Sequence, residues 1–211
     1  MLEREEVSVE RIKLMIIRHF YVSWWVYLLV GSCFIVGLFF GFLGMSSLEQ
    51  NQTSSLRQLF EEALMDFEEN FNFSVSARQA LVKNILNLGK IFLMGLTIIG
   101  LPLVLIIIFT RGFVLGFTIE FLLQEKAWRG GVMALLAVLP PNLLSLPAYL
   151  LGAVIAINFS LYLIRGHGQR SIKMSQCFME YLLAMFCLGI LMLGSALIEG
   201  YFSPIFIKLF Q

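Results

Sequence analysis

The chain has 211 residues, of which 59% are apolar types and 14% charged, with a formal net charge of +1. A soluble domain averages about 45–50% apolar and about 25% charged residues, so a water-covered globule is excluded, as are a disordered chain and any bulk electrostatic pull on nucleic acid. The composition is that of an all-α, polytopic membrane helix bundle whose main solvent is lipid.

Residues 1–21 carry four acids and four bases, the bases being Arg4, Arg11, Lys13 and Arg18. The positive-inside rule counts bases near a span and gives acids little weight, so this segment is predicted cytoplasmic. Residues 22–45 contain no charge and form the first span. It is too long for a cleavable signal, and Tyr21, Trp24 and Trp25 at its start read as an interfacial aromatic belt. Gly37 and Gly41 make a small-xxx-small pattern, extended by Gly44, which suits close packing within the chain or a homodimer seam.

Residues 46–89 are the one long polar stretch and hold six of the fourteen acids. Leu56, Leu59, Phe60, Ala63, Leu64 and Phe67 fall on one helical stripe, with Glu61, Glu62 and Asp66 on the acidic remainder. Such a helix caps its own bundle, or it docks a partner outside the cytoplasm through Leu59, Phe60, Phe67, Glu61, Glu62 and Asp66. A second helix is expected from about Ser76, with Ala80, Leu81, Asn84, Ile85 and Leu88 on one face, running on toward the second span.

Residues 91–110 are expected as that span, flanked by Lys90 and Arg111 and bent at Gly100-Leu101-Pro102, because proline removes a backbone donor and crowds the preceding turn. Residues 112–139 divide into two short apolar runs, 113–123 and 131–139, around a polar stretch at 124–129. They read as one broken or tilted crossing, or as a re-entrant pair. Gly112 and Gly116 repeat the small-xxx-small pattern. Pro140, Pro141 and Asn142 open a span at 143–164, and a last one runs over 177–198. With Arg111 and the cluster Arg165, His167, Arg170 and Lys173 both cytoplasmic, the sum is five spans with the C-terminus outside. The resulting organisation is a cytoplasmic segment 1–21, a first span 22–45, an extracytoplasmic segment 46–89, a membrane bundle 90–200 and a tail 201–211.

No zinc-protease helix, phosphate-binding loop, nucleophile elbow or dinucleotide fingerprint occurs. Cys33, Cys177 and Cys187 lie in or beside apolar stretches, against a disulfide-stapled ectodomain or a cysteine-held metal. The expectation is a protein that is not an enzyme and needs no cofactor or metal. Glu120, Asn158, Glu180 and Glu199 are polar groups in or at the edge of apolar runs, where an ionisable residue invites a functional reading. Glu120, near Arg111 and Lys126 in sequence, is either a paired structural residue or part of a substrate path. The second use would suit a membrane transport or permease-type subunit working at 112–139.

Three stretches carry a resemblance: Gly95-Leu-Thr-Ile-Ile-Gly-Leu-Pro102, Arg111-Gly-Phe-Val-Leu-Gly-Phe-Thr118, and Leu139-Pro-Pro-Asn-Leu143 followed by Pro147. Together with the order of basic N-terminus, glycine-rich span, polar segment and further apolar stretches, they resemble the stage II sporulation protein M family of endospore-forming bacteria. The resemblance implies a non-catalytic scaffold of the cell membrane at the sporulation septum. It implies a part in engulfment and peptidoglycan remodelling, with two cell-wall hydrolases, the stage II sporulation proteins D and P, as partners. In the wider family the position of Pro141-Asn142 often carries a polar pair beginning with histidine, so any chemistry of that pair is lacking here.

Overall fold

In a computed structural model the backbone is described for residues 2–69, 73–133, 139–165 and 174–209, and side chains for 24–62, 65, 75, 77–124, 142–164 and 174–198. Six helices account for it: α1 (Leu2–Ser46), α2 (Gln50–Glu69), α3 (Phe73–Gly95), α4 (Gly100–Met133), α5 (Leu139–Arg165) and α6 (Met174–Leu209). Four contain a stretch long and apolar enough to cross a membrane: Trp24–Ser46, Gly100–Gln124, Asn142–Ile164 and Met174–Ile198. Large apolar side chains such as Trp25, Phe39, Ile106, Leu183 and Phe186 are exposed along them. Apolar surface on that scale belongs against lipid.

The expected span at 91–110 does not exist as one helix. The chain turns at residues 96–99, between α3 and α4. The Leu96 and Thr97 amides fold back onto the Leu93 and Met94 carbonyls, and the Gly100 amide onto that of Thr97. Pro102, expected to kink a span, lies instead in the first turn of a new helix, where the missing N–H would have had no partner anyway. The Thr97 carbonyl, besides taking the Gly100 amide, accepts a 2.8 Å hydrogen bond from the Ser160 hydroxyl of α5.

The expected break at 112–139 is also absent where the chain is described. α4 continues through Gly112, the polar stretch and on to Met133, which excludes both a separate crossing from residue 113 and a re-entrant pair. Strong helix formers such as Gln124, Glu125, Lys126 and Ala127 explain why polarity alone does not interrupt it. Residues 134–138 lie outside the described chain. The C-terminal tail is likewise helical as far as Leu209, being the last part of α6.

α3 is not part of an outlying segment. Ala80, Asn84, Leu88 and Ile91 are buried against the bundle, so the polar excursion expected over 46–89 reduces to α2 and its flanks. The stripe at i, i+4, i+8 and i+11 needs cover, and α5 and α6 supply it.

Contacts give the helix directions. Cys33 donates to the Leu105 carbonyl at one level of α1 and α4, and Ser46 to Glu120 at another, so the two run parallel. α3 and α5 are also parallel, meeting at Asn84–Tyr149 and Thr97–Ser160. α4 opposes α5, since Arg111 meets Tyr149 while Thr118 faces the start of α5. α6 opposes α5, with Phe178 and Tyr181 beside Phe159 and Gly194 beside Leu144.

The α1–α4 seam rests on glycine. A Cβ on Gly37 would run into the Phe109 carbonyl oxygen and one on Gly41 into that of Phe113. From the other side, Gly112 abuts the Phe34 carbonyl and Gly116 that of Leu38. The two small-xxx-small patterns therefore pack against each other within one chain, backbone on backbone. The remaining core gathers Val104, Ile108, Tyr149, Ile157 and Met192, together with Tyr181, which stacks on Phe159 at 4.5 Å and on Phe92 at 5.2 Å between ring centroids.

Candidate functional site: a polar cluster inside the bundle

Arg111 lies midway along the apolar stretch of α4, not at a helix end, which corrects the expectation that it flanks a span. One guanidinium nitrogen, Nη2, donates to the Tyr149 hydroxyl at 2.9 Å, and Cζ stands 4.4 Å from the Tyr149 ring centroid. The same hydroxyl donates to Oδ1 of Asn84 at 3.0 Å. Tyr149 is 2% exposed and Asn84 3%. A charged group at a span centre costs about 2.5–3.5 kcal/mol on insertion scales. One hydrogen bond to a charged group returns about 1.5–3 kcal/mol and a cation–π contact about 0.5–2 kcal/mol, so the cluster can hold the arginine without a carboxylate. Its positive charge is not neutralised by doing so.

A cavity of about 170 Å³ opens beside the cluster, bordered by Lys83 and Asn84 of α3, Arg111 and Thr118 of α4, and Asn142 and Ser145 of α5. None of the described residues lining it is acidic. The Asn84 Nδ2 atom is buried and has no hydrogen-bond partner among the described residues.

The other residues singled out from the sequence are dispersed. Glu120 is 9% exposed and sits higher on α4, accepting from Gln124 at 2.8 Å and from Ser46 at 3.3 Å. Pro102 is at the α4 start, and Asn142 lines the cavity. Pro140 and Pro141 fall in the first turn of α5, where a missing N–H is tolerated, but their side chains lie outside the described residues. On α2, Leu56 and Phe60 turn inward onto Met45, Phe121 and Leu122, the Phe60 and Phe121 rings meeting edge to face at 5.3 Å. Leu59, Glu61, Glu62 and Met65 are exposed, while the side chains of Asp66 and Phe67 lie outside the described residues. Asn158 is half-buried, with Nδ2 unpaired among the described residues, and Glu180 is exposed.

Lys83, Asn84, Ser145 and Tyr149 were not singled out from the sequence as site residues. One signal was available for Asn84: an amide on the same helical face as Ala80 and Leu88. Tyr149 gave none, since a tyrosine in an apolar run reads equally well as core or interface.

Fold and cluster together define a class, an all-helical membrane protein whose bundle encloses an arginine held by neutral partners. More particularly, the chain belongs to the stage II sporulation protein M family, whose model matches residues 30–204, from within α1 to within α6. It is a membrane protein of sporulation. No curated protein and no solved structure matches it.

Proposed function

We propose that the protein is a non-catalytic scaffold that anchors and organises a peptidoglycan-hydrolase complex at the sporulation septum during engulfment, with the stage II sporulation proteins D and P as its partners. The observation that carries this reading is the form of α2. Leu56 and Phe60 fasten the helix to the end of the α1–α4 pair, and Leu59, Glu61, Glu62 and Met65 are left outward as a small apolar patch with an acidic margin. The helix is held on its inner face, and its described outer residues are exposed.

Charge and helix direction support one sidedness for this reading. Arg4, Arg11, Lys13 and Arg18 precede the apolar part of α1, and Arg165, Arg170 and Lys173 follow that of α5. Because α5 runs opposite to α1, the start of α1 and the end of α5 at Arg165 share one end of the bundle, and the positive-inside rule favours the cytoplasm for it. α2 then stands in the wall-facing space, where a hydrolase works.

The test is co-purification of D or P, co-expressed with the full chain carrying Glu61→Lys, Glu62→Lys and Leu59→Asp. Recovery of the partner should fall about tenfold or more, the loss of one or two interface anchors, while insertion and accumulation stay normal. Undiminished recovery would overturn the docking role of α2.

A permease-type subunit is the rival reading. The continuity of α4 removes the broken element that it invoked at 112–139, and Glu120 is engaged with Ser46 and Gln124. What favours it now is the cavity beside Arg111. Uptake assays on vesicles containing the protein alone separate the two readings, since a scaffold moves no solute.

A further inference from the structure

The cavity beside Arg111 has more donors than its surroundings can use. The Tyr149 hydroxyl takes a hydrogen bond from Arg111 and gives its own proton to Asn84 Oδ1. That exchange occupies the acceptor end of the Asn84 amide and leaves its donor end, Nδ2, buried without a partner. Arg111 makes a single hydrogen bond among the described residues, so most of its five N–H donors remain. Lys83, at the rim, brings donors and no acceptor. Thr118 has already given its hydroxyl proton to the Val114 carbonyl and can only accept.

Two formal positive charges thus border one small space with no acid among its described lining, and the unpartnered Asn84 amide lies buried behind its wall. Water in the cavity would leave the Arg111 charge uncompensated inside the bundle. We propose that the cavity binds a phosphate-type oxyanion, either a free phosphate ion or the phosphate group of a lipid. This proposal is independent of the scaffold reading.

Size and geometry favour that class. A volume of about 170 Å³ equals roughly five or six waters at about 30 Å³ each, room for one tetrahedral oxyanion together with a few waters. The arginine fork matches two oxygens of such a group. Lys83 lines the same cavity from a different helix and supplies a second charge for the remaining oxygens, which a two-oxygen carboxylate does not offer. A route in is also present. Lys83 borders both this cavity and an open groove along α3, whose other lining residues include Arg78 and Lys90 among Val75, Val82 and Leu86. Cations spaced along an apolar groove would draw an anionic headgroup toward the site.

The full-length protein in an uncharged detergent provides the test, read as thermal unfolding while ligand is titrated at constant ionic strength with chloride as the balancing anion. One arm adds inorganic phosphate, the other phosphatidylglycerol in mixed micelles, with native mass spectrometry to count bound lipid. The expected result is a saturable rise in the unfolding temperature in at least one arm. Response to phosphate identifies the free ion as a ligand; response to phosphatidylglycerol with retained lipid and none to phosphate identifies the headgroup. Arg111→Gln should abolish the response, and Lys83→Gln should weaken it about tenfold or more, the effect of one charge-assisted contact. Lys83 is exposed at the rim, so its variant remains informative even where Arg111→Gln fails to fold. No saturable response in the native protein, or a response that Lys83→Gln leaves unchanged, would overturn the site.

Discussion

Arg111 and Tyr149 lie 38 residues apart in sequence and meet at 2.9 Å in the middle of the bundle. The pair joins α4 to α5, and through the Tyr149 hydroxyl it reaches Asn84 on α3. Three helices are therefore referenced to one phenolic oxygen.

The first prediction concerns that oxygen. Tyr149→Phe keeps the ring and removes the hydroxyl that accepts from Arg111 and donates to Asn84. It should lower stability by about 1–3 kcal/mol, the penalty for buried polar groups left without partners. Thermal unfolding in detergent measures it. Arg111→Gln in the Tyr149→Phe background should cost less than the sum of the two single changes, since the groups act as one network.

A second prediction addresses the glycine seam. Gly41→Val and Gly116→Val press a side chain into the Phe113 and Leu38 carbonyls, so α1 and α4 must separate. Each should destabilise by at least about 1–3 kcal/mol, the usual range for overpacking. A Cβ at Gly31 meets nothing within 4 Å. Gly31→Ala should therefore be neutral, or stabilising by about 0.5–1 kcal/mol through backbone entropy. Equal effects at positions 31 and 41 would refute the seam.

The turn between α3 and α4 supplies a third. Ser160→Ala removes the 2.8 Å hydrogen bond to the Thr97 carbonyl inside the bundle. A loss of about 1 kcal/mol is expected, measurable as a lower unfolding temperature with no change in the amount inserted.

A fourth prediction separates Glu120 from a solute path. Its carboxylate is nearly enclosed by Ser46 and Gln124. With Cys33, Cys177 and Cys187 replaced by serine, Glu120→Cys should resist a membrane-impermeant maleimide. Leu59→Cys, at a position 62% exposed on α2, should react readily. Rapid labelling at position 120 would show a wet path that the packing does not have.

Much of the architecture is legible from residue order. The uncharged run over 22–45, the apolar stretches of α5 and α6, and the amphipathic stripe of α2 are local patterns, and lipid imposes a helix on any apolar run that must hide its own backbone. The family is legible for the same reason, since its specific stretches are contiguous. The Gly37–Gly41 and Gly112–Gly116 patterns are also visible, though not that each is the other's partner.

Other features depend on what lies opposite in space. A charge is read from sequence as the end of a span because an unpaired cation does not stay in hydrocarbon. On that rule Arg111 closes a helix; Tyr149, from α5, holds it at the centre of one instead. Likewise Pro102 reads as a kink until the chain is seen to turn at 96–99, which puts it where a helix begins. α3 reads as an external amphipathic helix until α5 and α6 cover Asn84 and Leu88. Composition, with 59% apolar and 14% charged residues, determined that lipid is the solvent and that helices are the answer. Which charges stay inside, and around what empty space, was decided only when side chains distant in sequence came within hydrogen-bond reach.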